Sequence, residues 1–206
     1  MKLIEFRSKD IDKRDKIINA ALDEFGENGF KKASTNNIVK KAGVSKGLLY
    51  HYFESKEVLY EYLLEFCFET VAHTLKNDMD WNETDFFERL KTAATIKMDL
   101  TFKYPSIYDF SIKCLSGMKP EEMQKYMEKY SLDLLQKVYF ENIDFSKFKE
   151  DIDVQRAMKV VMWTFDKYGE SIRGQEKVDV DSIRVEIDGY IALFRQCFYK
   201  EGGTND

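Results

Sequence analysis

Lys46, Tyr50, His51, Tyr52 and Lys56 bring two ammonium groups, two phenols and one of the chain's two histidines into one short run. These groups do not make a catalytic set. No Ser-His-Asp arrangement can be assembled outside the run, and the chain has no closely spaced Cys or His ligands and no phosphate-cradling glycine loop. The acidic pair Glu121-Glu122 opens a helix, where it suits the dipole rather than catalysis. What the run does suit is a polyanion. Ammonium groups neutralise phosphates, while phenol hydroxyls and imidazole nitrogens reach phosphate oxygens and base edges. A Tyr-His-Tyr triplet is also a poor surface to leave against water.

Residues 35–57 supply the frame for these groups, as two short helices around a glycine. Thr35 is placed to cap the first helix, and Ile38, Val39 and Ala42 give it an apolar face. Gly43 takes a left-handed backbone without steric cost, so it ends that helix and starts a sharp turn. Val44 plugs the angle, and Ser45 caps the second helix. Leu49 and Phe53, four apart, face inward, which leaves Lys46, Gly47, Leu48, Tyr50, His51 and Tyr52 facing outward. Gly47 has no side chain to hold the helix away from a duplex. Helix, glycine turn and second helix is the layout of a helix-turn-helix DNA reader. Residues 10–29 precede it as a helix with Ile17, Ile18, Ala21, Leu22 and Phe25 on one face, ended by Gly29. Ser55 is placed to cap the helix that follows, with Lys56 in its first turn.

The run KRDKIINAALDEFGENGF at residues 13–30 and the run ASTNNIVKKAGVSKGLLYHYFESKEVLY at residues 33–60 resemble the tetracycline-repressor (TetR) family of bacterial one-component regulators. The resemblance covers roughly the first 60 residues. It implies that Thr35 touches phosphate and that Ser45, Lys46 and Gly47 begin the recognition helix. It further implies that Tyr50 and His51 make the main phosphate and base contacts, that Tyr52 adds a polar contact, and that Lys56 binds phosphate at the start of the fourth helix. Leu48 departs from the family pattern of small or polar residues; it contacts a thymine methyl or covers a sugar.

Charge divides the chain in the same sense. Residues 1–56 hold 12 Lys+Arg against 8 Asp+Glu, and the remainder holds 20 against 29. DNA affinity draws on phosphate neutralisation, so the basic part carries it. With 206 residues, 44% of them hydrophobic, and only two prolines, Pro105 and Pro120, long periodic stretches favour an all-α protein with a sizeable core. No run approaches a membrane span and no secretory signal is seen, so a cytoplasmic protein is expected. Cys67, Cys114 and Cys197 read as reduced, mostly buried thiols. No metal and no cofactor is expected.

The expected architecture is a three-helix helix-turn-helix domain over residues 1–54, with its motif at about 34–53. A larger helical ligand-binding and dimerisation domain follows over residues 55–206, making about nine helices in all. The last two helices carry the dimer candidates: Phe165 on the eighth, and Ile187, Ile191, Phe194 and Phe198 on the ninth. These stripes either form a four-helix bundle between two copies or pack within one subunit; a twofold DNA reader favours the bundle. The family resemblance implies a small-molecule pocket bounded by the fourth to eighth helices, and Met98, Phe102 and Trp163 are its expected lining. The function expected is therefore a ligand-responsive, DNA-binding homodimer. It would repress from a palindromic operator and be released by a small apolar or amphipathic effector. The competing expectation is an architectural DNA-binding protein without an effector.

Overall fold

The structure is a computed structural model that describes residues 6–7, 11–130, 134–173 and 179–200. The expected all-α class holds for these residues, which contain ten α-helices and no strand. They are α1 (Ile11–Lys32), α2 (Thr35–Ala42), α3 (Lys46–Phe53), α4 (Lys56–Asp78) and α5 (Phe86–Lys103), then α6 (Ile107–Gly117), α7 (Pro120–Lys129), α8 (Leu134–Phe140), α9 (Val154–Arg173) and α10 (Val180–Phe198). A 3-10 turn, Phe145–Lys147, lies between α8 and α9. From the sequence, residues 120–141 read as one helix opened by Pro120; they form two, because Tyr130 (φ −109, ψ 10) leaves helical geometry at the end of α7. From the sequence, Gly174 reads as a chain break and residues 201–206 as a frayed tail; both lie outside the described residues.

Packing divides the chain into two compact units. The first comprises residues 1–78 and 96–134. Its core starts from the inward face of α1, where Ile17, Ile18, Ala21, Leu22 and Phe25 are fully buried, and continues through Ile38, Leu49, Phe53, Leu63 and Phe110. Each such Leu, Ile or Phe contributes about 1.5–3 kcal/mol by leaving water. Polar contacts fasten α6 and the end of α5 to α1. Lys113 Nζ donates to the carbonyls of Gly26 (2.8 Å) and Glu27 (3.0 Å), just ahead of Gly29, whose φ of 67° breaks the regular ladder of α1. Asn19 Nδ2 donates to Lys103 O (3.1 Å), and the Tyr104 hydroxyl donates to Asp15 (3.2 Å). This packing unit runs on past residue 54, where the domain boundary is expected.

The second unit comprises residues 79–95 and 135–206. Asp85 organises it. Its Oδ1 accepts the amides of Phe87 (2.9 Å) and Glu88 (3.1 Å) and so caps α5. The same carboxylate accepts Arg195 Nη2 (2.7 Å) from α10 and Lys147 Nζ (3.0 Å) from the 3-10 turn. Around it Phe87 and Phe148 meet the Tyr199 ring edge-on, each at 4.9 Å. Arg89, fully buried, donates to the carbonyls of Trp81, Glu83 and Glu141 and ties the ends of two loops together. α9 and α10 pack through Phe165, Tyr168, Tyr190 and Phe194. Among the described residues, no helix is long and apolar enough to cross a membrane.

Candidate nucleic-acid interface

The angle between α2 and α3 is set by Gly43, whose φ of 66° and ψ of 33° end α2 in the left-handed region as expected. Ser45 then caps α3, its Oγ accepting the Leu48 amide at 3.1 Å. The start of α2 is built differently from expectation. Thr35 lies inside the helix and Ser34 is the N-cap, but the Ser34 hydroxyl makes no capping bond. Glu24 of α1 does that work. Its Oε1 accepts the Ser34 amide (2.9 Å) and Asn37 Nδ2 (3.2 Å), and its other oxygen lies 3.7 Å from Lys41 Nζ. A carboxylate at this helix end also meets the favourable end of the dipole. Glu24 is buried; sequence reasoning passed it over, although its helical spacing from Ile17, Ala20 and Ala21 marks the inward face.

Thr35, released from capping, faces α3: its Oγ1 lies 3.2 Å from the Tyr50 hydroxyl. Lys46 Nζ sits 5.8 Å from the centre of the Tyr50 ring, so this ring is held from two sides. Ser45, Lys46, Gly47 and His51 are exposed, while Thr35, Leu48 and Tyr50 are half-buried. A Cβ placed on Gly47 would meet nothing nearer than Ser45 Oγ at 4.0 Å, so the helix surface is open there. The Lys46, Gly47, Tyr50 and His51 side of α3 is therefore one polar, cationic and aromatic face in solvent.

Two residues expected on this face are elsewhere. Tyr52 is 4% exposed. It shares the inward side of α3 with Leu49 and Phe53, and its ring packs 5.2 Å from Phe6, itself buried against Phe53 and Tyr62. The hydroxyl made Tyr52 look polar, but its spacing of three from Leu49 turns it inward. Lys56 is committed within the protein. Its Nζ donates to the carbonyls of Phe30 (2.9 Å) and Ala33 (3.3 Å) and lies 4.7 Å from the centre of the Phe30 ring. Ser55, as expected, caps α4 by accepting the Val58 amide at 3.2 Å.

The expected pocket and dimer residues are redistributed. Met98 is buried, but Phe102 is half exposed and Trp163 is 65% exposed, so neither lines an interior site within its own unit. Of the expected dimer residues, Ile187, Ile191 and Phe194 are buried inside the subunit, and Phe165 and Phe198 are half-buried against Tyr190 and Phe194. The stronger apolar stripe holds α9 to α10. Val160 and Trp163 on α9 and Val185 and Leu193 on α10 stay exposed. Two of the three thiols are sealed in the first unit: Cys114 Sγ lies 2.9 Å from the Tyr60 hydroxyl, and burial pushes the Cys67 thiol up to about 12. Cys197 is exposed.

Residues 17–63 match the family model of the bacterial regulatory proteins of the tetR family. The chain is 35% identical over 107 residues to the uncharacterized HTH-type transcriptional regulator YvdT of Bacillus subtilis (strain 168), a match covering 52% of this chain and 53% of that protein. It thus spans about half the length of that relative. A fatty acid metabolism regulator protein of Bacillus subtilis (strain 168) is 27% identical over 163 residues, which cover 73% of this chain and 78% of the relative. Among solved structures, a TetR family transcriptional regulator from Chloroflexus aurantiacus J-10-FL superposes with a TM-score of 0.63 at 21% identity, covering 96% of this chain and 98% of its own. The fatty acid degradation regulator FadR from Bacillus halodurans superposes with a TM-score of 0.56 at 21% identity, covering 93% and 99%. At those identities the structural likeness speaks to the fold.

Proposed function

We propose that the chain is a member of the tetR family of bacterial regulatory proteins, a transcriptional repressor that reads a palindromic operator as a homodimer and lets go when a small amphipathic molecule binds. The observation that carries this reading is the solvent-facing side of α3. Lys46, Tyr50 and His51 stand around the open backbone of Gly47, on a helix pair held by Gly43, Ser45 and Glu24. In this reading Lys46 neutralises phosphate, Tyr50 and His51 reach phosphate and base edges, and Thr35 orients Tyr50. Residues 1–54 do the reading, and residues 55–206 sense and dimerise.

The second copy sits on the exposed Val160, Trp163, Val185 and Leu193, rather than on the residues expected from periodicity. The effector sits among the helices of the first unit, where Phe68, Tyr126 and Tyr130 stack within 6.0 Å of one another. An aromatic wall of this kind favours an apolar chain with a polar end. One relative is a fatty acid metabolism regulator, which makes an acyl-chain amphiphile the first probe. Release requires that the effector bind the DNA-free state better than the DNA-bound state.

The test is selection of duplexes from a random pool, followed by footprinting and titration. Wild type enriches an inverted repeat, and Tyr50→Ala or His51→Ala each weakens it by about 1–3 kcal/mol, or roughly 5–150-fold. No enrichment, or unchanged affinity in both variants, sinks the reading.

A further inference from the structure

Lys56 and Glu24 act on the same peptide group. The carbonyl of the Ala33–Ser34 peptide accepts from Lys56 Nζ at 3.3 Å, and its N–H donates to Glu24 Oε1 at 2.9 Å. A cation therefore sits at the oxygen of this peptide and an anion at its nitrogen. Both charges act along the dipole of the group they hold, so rotation of the plane weakens both bonds together. Glu24 is buried and Lys56 is half-buried, which raises the electrostatic stakes above those of a surface pair. The neighbouring Phe30 carbonyl is gripped by the same ammonium at 2.9 Å. This clamped turn leads directly into Thr35, and Thr35 Oγ1 is the partner of the Tyr50 hydroxyl at 3.2 Å.

We propose that Lys56 is a positioning residue for operator reading: it sets Thr35, and through it Tyr50, by holding the Ala33–Ser34 peptide between its own charge and that of Glu24. Because Lys56 is the first residue of α4, a shift of that helix pulls on this peptide. Lys56 then governs which duplex is bound, not how strongly any duplex is held. The inference rests on the DNA-reading assignment above.

Lys56→Met keeps the aliphatic stem over Phe30 and removes the donors. The probes are a duplex selected from a random pool by the wild-type protein and a scrambled duplex of equal composition. Lys56→Met loses about tenfold on the selected duplex. On the scrambled duplex it stays within about twofold, with an unchanged salt slope. In a Thr35→Val or Tyr50→Phe background the Lys56→Met loss disappears, because the relay is already cut. In the DNA-free protein, Lys56→Met speeds hydrogen exchange at the Ser34 amide well beyond any rise at amides in the middle of α1 and α4. If Lys56 merely neutralises a phosphate, both duplexes weaken alike and the salt slope falls by about 0.9. If Lys56 is merely structural, the losses add in the double variants and exchange quickens alike across α1 and α4. Either result overturns the inference, whereas a wild type that enriches no duplex overturns the DNA-reading assignment along with it.

Discussion

Removing the Asp85 carboxylate should unseat much of the second unit. Asp85 accepts two amides at the start of α5, at 2.9 and 3.1 Å, and pairs with Arg195 at 2.7 Å and Lys147 at 3.0 Å. Loss of a helix cap costs about 1 kcal/mol. Removing one partner of a buried ion pair costs roughly 3–5 kcal/mol. Side-chain exposures of 22% for Arg195 and 26% for Lys147 let both cations rehydrate, so most of that second figure is recovered. Asp85→Ala then costs about 2 kcal/mol in all, and with a urea slope of about 2 kcal/mol/M the midpoint falls by about 1 M. Both tryptophans, Trp81 and Trp163, belong to this unit, so their fluorescence follows it directly. Acid gives the control. Burial alone would raise the Asp85 pKa, but hydrogen bonds from Lys147, the Glu88 amide and Arg195 outweigh it and hold the carboxyl below the usual Asp range. A depressed carboxylate contributes fully above the unfolded-state value of about 4, and the contribution fades as pH falls through the lower folded value. Wild type and Asp85→Ala should therefore converge in acid. A midpoint shift below about 0.3 M at neutral pH, or one that persists undiminished below the folded pKa, refutes this account.

Glu24→Ala leaves the Ser34 amide without its acceptor and should cost about 2 kcal/mol in thermal or urea unfolding, with Glu24→Gln losing less; equal stability of the three proteins would remove Glu24 from the capping of α2. For the exposed apolar residues of α9 and α10, light scattering should give twice the 24.4 kDa chain mass for wild type and the chain mass itself for Trp163→Glu combined with Leu193→Glu. A wild-type monomer, or a variant that stays paired at micromolar concentration, rules out those residues as the subunit contact.

Much of the reader was legible because local rules decide it. Gly43 and Ser45 act through their own backbone and side chain, and Leu49 and Phe53 are turned inward by helical spacing alone. Tyr52 was misjudged on a local signal: its hydroxyl outweighed the spacing of three from Leu49 that turns it inward, where its ring meets Phe6. The other errors depended on partners distant in the chain. Lys56 turns inward because two carbonyls of the α1–α2 turn await it, and unsatisfied carbonyls leave no trace in a string of side chains. The α9 and α10 stripes were recognised as apolar, but periodicity does not say which apolar residues meet the neighbouring helix and which stay exposed. The buried network around Asp85 was invisible for the same reason, since Asp85, Lys147 and Arg195 are far apart in sequence.

The placement of the three cysteines turns the unmodified chain into its own clock. Cys67 on α4 and Cys114 on α6 are shut inside the first unit with thiols that burial keeps protonated, whereas Cys197 on α10 is accessible. An alkylating reagent consumes the exposed sulfur at once and must wait for the interior to breathe before it takes the other two. The slow phase of labelling counts those openings in the very body that bears the reading face. Comparing its rate with and without a candidate effector would report ligand-induced tightening in a protein carrying no mutation, dye or tag.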